Sequence, residues 1–244
     1  MKITPGTAPS ASVALFDELA RRGYDRHFDV PHRRAYDDLA WEIVASLLPD
    51  PPATVVDAGC GVGRWAARLV DLGHRVIGIE QAPEMAAAAR ARGLPGDHFT
   101  LVEGDLATVD HPSLPPRSGG ADLVLAMGSV QYAADPVLAL TRLAGWVAPN
   151  GAMAVLTDSL VALVLGLLAA GRVDEALERA GTGRGRWRSA AGQAELHLFD
   201  RSSLAEALVD AGLTDVVVRG LLVGSSGFGR DGLADRLEAN PAAG

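Results

Sequence analysis

Val55 to Gly63 read VVDAGCGVG. Two β-branched residues and an acid close a short apolar run, and three glycines then alternate with Cys60 and Val62. Glycine serves where the backbone needs positive φ, or where a ligand must approach with no Cβ in the way. Arg64 to Leu72 reads as a helix, and a helix start presents free N–H groups that suit a carboxylate or another anion. A dinucleotide fingerprint has glycines at its first, third and sixth positions. Counting from Gly59, the sixth position is Arg64, so that reading fails.

Three further clusters follow predicted strands. Glu80 closes the strand Arg75–Ile79. In an open α/β sheet, ligands sit outside the carboxyl ends of the strands, and a carboxylate there can accept from both hydroxyls of a ribose. The plain alternative is a solvated acid. Glu103-Gly104-Asp105-Leu106 follows the next strand. Its Asp105 suits an exocyclic amine, with a Gly/Asp turn as the alternative. Met127-Gly128-Ser129-Val130-Gln131-Tyr132 follows the fourth strand. A carbonyl at Met127 or Gly128 suits an ammonium, and Ser129, Gln131 and Tyr132 would face the reacting centre. The alternative is a loop with one packed tyrosine. Arg184, Arg186 and Arg188 cluster around Trp187, as a solvated loop or a grip on an anion.

The elements that must hold these residues alternate. Strands are predicted at Thr54–Asp57, Arg75–Ile79, Phe99–Val102, Asp122–Ala126 and Ala152–Thr157. Helices fall between them at Arg64–Leu72, Pro83–Arg92 and Pro136–Trp146. Such alternation argues for a parallel sheet with helices on both faces. Two helices, Val13–Arg22 and Arg34–Leu48, precede this core. Between them, Gly23 to Arg33 carries Tyr24, His27, Phe28 and His32. Leu160 to Gln193 breaks the rhythm with an apolar helix, a mixed helix (Val173–Ala180) and a Gly/Arg loop. Ser202–Ala211 reads as a helix, Asp215–Val223 as a strand, and Gly224–Gly244 as a Gly-rich stretch, a short helix and a tail.

The 244 residues suffice for one sizeable core. The net charge of −8 opposes nucleic-acid binding outside a local basic patch. Cys60 is the only cysteine, so no intramolecular disulfide can form. No signal-leader pattern opens the chain. Its longest apolar run, Leu160–Ala170, is short of the about 20 residues that span a bilayer. The chain is therefore read as soluble and cytoplasmic, with no membrane partner. If exposed, that run would make a homodimer face.

The glycine motif, the three clusters, and the turn Trp146-Val-Ala-Pro-Asn-Gly151 stand in one order and spacing. From Thr54 to about Gly220, they resemble the small-molecule branch of class I S-adenosylmethionine-dependent methyltransferases. The resemblance implies a doubly wound, mostly parallel Rossmann-like sheet. It divides the chain into an N-terminal helical cap (1–52), a cofactor-binding core (53–159), a helical insertion or lid (160–197) and a C-terminal part of the core with a tail (198–244). It places Asp57, Gly59, Cys60 and Gly61 around the methionine part of S-adenosyl-L-methionine, and Glu80 on its ribose. Gln81 and Met85 flank the adenine, and Asp105 and Leu106 read its edge; the ammonium is left to the carbonyl of Met127 or Gly128. Tyr24, His27 and Tyr36 belong to the segment folding over the cofactor. The implied reaction is methyl transfer to an O or N nucleophile of a small-molecule acceptor in secondary metabolism, with no metal and no nucleic acid. The alternatives are a non-methylating protein on the same fold, as scaffold or rearrangement catalyst, and a tRNA or protein methyltransferase. A hydroxyl acceptor would need a base, for which His197 and His27 are the candidates. One departure stands out: the family's sheet ends in two antiparallel strands, and only Asp215–Val223 suggests one here.

Overall fold

A computed structural model describes residues 10–116 and 120–221. Its centre is a five-stranded sheet in the order β3-β2-β1-β4-β5. The strands are β1 (Thr54–Ala58), β2 (Arg75–Glu80), β3 (Phe99–Glu103), β4 (Ala121–Met127) and β5 (Val147–Leu156), and every neighbouring pair is parallel. β1 and β4 are buried almost throughout, as expected for strands covered on both faces. The chain begins in the middle, winds out to β3, then crosses back to β4. Strand order therefore reverses between β1 and β4, where the carboxyl ends leave a crevice.

Each face has its own core. On one, Val56, Val124 and Ala126 are clustered with Leu140 and Leu143 of α5 (Pro136–Ala144) and with Leu204 and Leu208 of α8 (Arg201–Asp210). On the other, Val55, Leu123 and Leu125 are clustered with Val44 of α2 (Pro31–Leu47) and Leu69 of α3 (Arg64–Asp71). A third cluster joins Leu15 and Leu19 of α1 (Ala11–Arg21) to Val62, Met85 and Ala194. It seats the N-terminal cap over the carboxyl ends of the strands. Asp17 of α1 also accepts from the Glu84 N–H at 2.9 Å, in the first turn of α4 (Pro83–Ala91), whose N-cap has no side-chain bond of its own.

Three segments differ from the sequence reading. β5 starts at Val147 and takes in the Pro149–Gly151 turn as an irregularity, so the register jumps from Ala121↔Val147 to Leu123↔Ala152. Asn150 has φ 69°, and a Cβ on Gly151 would lie 2.9 Å from the Ala121 carbonyl oxygen. The Gly/Arg stretch is a β-hairpin rather than a loop. After α6 (Leu160–Ala169) and α7 (Val173–Thr182), β6 (Arg184–Ser189) pairs antiparallel with β7 (Gly192–His197). The insertion is thus only partly helical. The expected strand at Asp215–Val223 does not form within the described part. Asp215 takes φ 55°, and the chain to Leu221 is irregular. Val216 and Val218 pack on the first core while Val217 stays 71% exposed, so the alternation is met by packing without a ladder. Residues 222–244 lie outside the described part. No helix among the described residues is long and apolar enough to cross a membrane.

Candidate functional site

The carboxyl ends of β1, β2 and β4 open into a cleft of about 780 Å³, part of it open to solvent. Its floor is the glycine loop. The Gly59 and Cys60 N–H groups donate to the Ile79 carbonyl at 2.8 and 2.9 Å, which pins the loop to β2. The glycines serve different ends. A Cβ on Gly59 would sit 2.3 Å from Ser129 Cβ, so that position is needed for close packing of the β1 and β4 loops. A Cβ on Gly61 would meet nothing within 4 Å, and Gly61 lines the cleft. This is the backbone that a ligand can approach. Gly63, at φ 77°, starts α3.

Glu80 is 8% exposed and lines the cleft. Its Oε2 accepts from the Gly61 N–H at 2.9 Å, and its Oε1 from the N–H groups of Gln81 and Ala82 at 2.9 and 2.8 Å. Burial pushes its pKa up, against those three N–H groups. A carboxylate offers about four lone-pair sites, so Glu80 fastens the loop and keeps acceptor capacity. Asp57, 1% exposed, lies beneath the loop and does not line the cleft. The Ala66 N–H in the first turn of α3 bonds it, while Oδ2 has no hydrogen-bond partner among the described residues. Burial first, and then the Glu80 charge, push its pKa up to about 7.

Gln81, Met85 and Leu106 line one side of the cleft, and Met127, Gly128 and Ser129 another. Ser129 Oγ donates to the Ala58 carbonyl at 2.6 Å, tying the two strand ends together. Asp105 stands beside the cleft without lining it. Its Oδ1 accepts from the Ala107 N–H at 2.7 Å, and only its neighbours Gly104 and Leu106 line the cleft. Cys60 lines the cleft as a buried thiol that burial pushes well up in pKa, which leaves it a weak nucleophile.

The roof is aromatic. Phe16 of α1 meets Tyr132 edge-on at 4.9 Å and Trp187 of β6 at 5.8 Å. Tyr24 and Phe28, in the 3-10 turn Tyr24–Phe28, meet at 5.4 Å. The chain has four Trp, three Tyr and five Phe, and five of these twelve rings gather here. Arg64 stands 3.7 Å over the Phe28 ring and pairs with Asp37, joining roof to floor. Burial pushes the phenols of Tyr24 and Tyr132 up, and that of Tyr36, outside the lining, up to about 12. Sequence reasoning missed Phe16 and Arg64 as cleft residues. Scarcity of aromatics was the available signal, because five rings on four separated segments have a common purpose only when folded.

The two base candidates fare differently. His27 lies in the 3-10 turn, and its side chain is outside the described residues. His197 is not brought to the cleft. It pairs with Arg184 across the hairpin, with 2.6 Å between the guanidinium and Nε2. The guanidinium donates, so the ring nitrogen is occupied. Burial and then the Arg184 charge lower the His197 pKa. Among the described residues, no group of three or more His, Cys, Asp or Glu could hold a metal ion.

Residues 30–218, well over half of the chain, match the family described as a methyltransferase domain. The chain belongs to that family. A ribosomal RNA small subunit methyltransferase A of Anaeromyxobacter dehalogenans is 31% identical over 138 residues, covering 54% of this chain and 46% of that protein. A trans-aconitate 2-methyltransferase of Methylobacterium radiotolerans is 37% identical over 120 residues, covering 48% of this chain and 42% of that protein. The chain thus spans about half the length of the curated relatives it matches. Among solved structures, the DhpI–SAM–HEP complex is similar with a TM-score of 0.58 and 20% identity, covering 86% of this chain and 91% of that one. At that identity the likeness speaks for the fold alone.

S-adenosylmethionine is the cofactor of this methyltransferase family, and the cleft residues fit it. Space is open beside Gly61 and Gly128. Met85 and Leu106 offer apolar walls for a ring. Glu80 stands at the strand end where hydroxyls would come. The unpartnered Asp57 oxygen puts a negative charge beneath the loop when ionised, which suits a cationic ligand.

Proposed function

We propose that this methyltransferase-domain protein transfers a methyl group from S-adenosylmethionine to an O or N nucleophile of a small molecule. One observation carries the small-molecule part: the cleft is roofed by rings from α1, the 3-10 turn and the loop after β4, and is not an open basic groove. The net charge of −8 supports the same reading. The trans-aconitate relative, whose name specifies a small acceptor, is in keeping with it.

Bound S-adenosylmethionine would supply a methyl group made electrophilic by the sulfonium. The chain's own work is then positioning. Glu80 and the Gly61 backbone would hold the cofactor in register, and Gln81, Met85 and Leu106 would fix its base. The roof would shield the reacting centre and align the acceptor, and alignment alone can contribute up to about 7–11 kcal/mol in well-oriented systems. Tyr24 and Tyr132 stay protonated at neutral pH, since burial raises both. They are therefore not the base that takes an acceptor's proton.

The test has two stages. Calorimetry should detect binding of S-adenosylmethionine and of its demethylated product. Radiolabelled methyl transfer is then followed over a panel of small phenols, carboxylic acids and amines. Absence of binding to either cofactor form would sink the reading. Binding of both, with no transfer across the panel, would favour a non-methylating protein on the same fold.

A further inference from the structure

The β6–β7 hairpin has two unlike faces. Arg184, Arg186 and Arg188 point outward and are exposed, opposite His197, Glu195 and Gln193 of β7. Gly185, Trp187 and Ser189 alternate with them on the inner face, where Trp187 meets Phe16 and Tyr132 of the cleft roof. Two carboxylates offset part of its charge: Asp135, which acts on His197, and Glu195. Glu195 lies 3.8 Å from Arg186, and both are solvated, so the pair is weak. The partner of Arg184 is His197, which brings no negative charge. At the hairpin turn, Arg22 of α1 donates to the Ala190 carbonyl at 3.3 Å while paired with Glu18. A protein of net charge −8 thus gathers three arginines in one row, directly behind a wall of its cleft.

We propose that this face docks an acidic protein partner that presents carboxylates along a helix. Arginines at alternate strand positions repeat about every 6.8 Å, close to the about 6 Å rise between i and i+4 carboxylates on a helix. The row is about 14 Å long. A nucleic acid would meet it with only a few phosphates and carry the rest of its charge across an acidic surface. An acidic helix confines its charge to the contact. Trp187 lies between Arg186 and Arg188 in the strand, so occupancy outside reaches the cleft roof. The proposal goes beyond methyl transfer and does not depend on the acceptor.

The experiment follows backbone amide spectra of the full chain during titration with a short helical peptide bearing Glu at every fourth position. The same peptide with Gln for Glu serves as the control. Shifts should concentrate in residues 184–197 and reach the Trp187 indole. They should vanish with the Gln peptide, in 1 M salt, where the Debye length falls to about 3 Å, and in R184Q/R186Q/R188Q. That variant should keep its fold and its calorimetric affinity for the demethylated cofactor, which separates failure here from failure of the proposed activity. Absent shifts, shifts scattered elsewhere, or equal shifts with the Gln peptide overturn the proposal. Tighter binding of a single-stranded RNA of matching length would reassign the face to nucleic acid.

Discussion

Floor and roof of the cleft are held by different forces. The floor is fixed by backbone hydrogen bonds: Gly59 and Cys60 to Ile79, and Gly61, Gln81 and Ala82 to Glu80. Each has one donor, one acceptor and a narrow geometry. The roof is fixed mainly by ring contacts and a few polar ties, such as Arg92 to Asp25 at 2.7 Å. Ring contacts are individually worth about 0.5–1.5 kcal/mol beyond their burial and tolerate repacking. A substitution in the floor should therefore disturb the fold or the cofactor, whereas one in the roof should disturb the acceptor.

The largest expected effect is in the floor. Gly59→Ala places a Cβ 2.3 Å from that of Ser129, at a φ of 78°. We expect a loss of about 3 kcal/mol or more, read as an earlier denaturant midpoint. Gly61→Ala meets open space at φ 54°. It should lose only about 1–2 kcal/mol of stability and yet weaken cofactor binding. Equal destabilisation of the two variants would erase the distinction drawn between these glycines.

Next comes Glu80→Gln. It removes the charge that three N–H groups address, and charge-assisted bonds are worth about 1.5–3 kcal/mol each. Cofactor affinity should fall by at least tenfold. An unchanged dissociation constant would reduce Glu80 to a fastener of the loop.

In the roof, Phe16→Leu keeps an apolar side chain but loses the edge-on contact with Tyr132 and the contact with Trp187. Acceptor KM should rise several-fold, with affinity for the demethylated cofactor within about twofold of native. A larger change in cofactor affinity than in acceptor KM would mean that the roof and floor divide the work otherwise.

The same division explains what the sequence reveals. β1 and β4 are near-contiguous apolar runs buried on both faces, and short apolar runs alternate with helices, so the five-stranded sheet and Glu80 at the end of β2 can be read directly. The hairpin cannot, because its inward residues include Gly185 and Ser189, and no apolar alternation marks it. Asp215–Val223 errs the other way, reading like a strand where no ladder forms within the described part. His197 shows the limit for a site. Its partner Arg184 is set by cross-strand register, which appears only after folding. Asp57 and Asp105 were legible as acids near strand ends, but which way each carboxyl turns depends on Ala66 and Ala107 N–H groups that local turns supply.

The smallest effect sharpens the link between buried charge and ligand. Asp57 has its folded-state pKa pushed from 3.8 up to about 7, chiefly by burial. Between those values the folded chain holds a proton that the unfolded chain has lost. Asp57 therefore contributes stability that is fully present below pH 3.8 and falls away as pH rises through about 7. Asp57→Asn should flatten that slope without abolishing it, because the Glu80 pKa is raised too. A cationic ligand above the loop favours the ionised carboxylate. Cofactor binding should then release a fraction of a proton below about pH 7 and strengthen as pH rises to that value. At pH 7 itself, half-protonation weakens affinity only about twofold. Calorimetry in two buffers of different ionisation enthalpy measures the released proton directly. Equal heats in both buffers near pH 6, with Asp57→Asn indistinguishable from native, would show that the buried carboxyl does not respond to the cofactor and serves only to hold the first turn of α3.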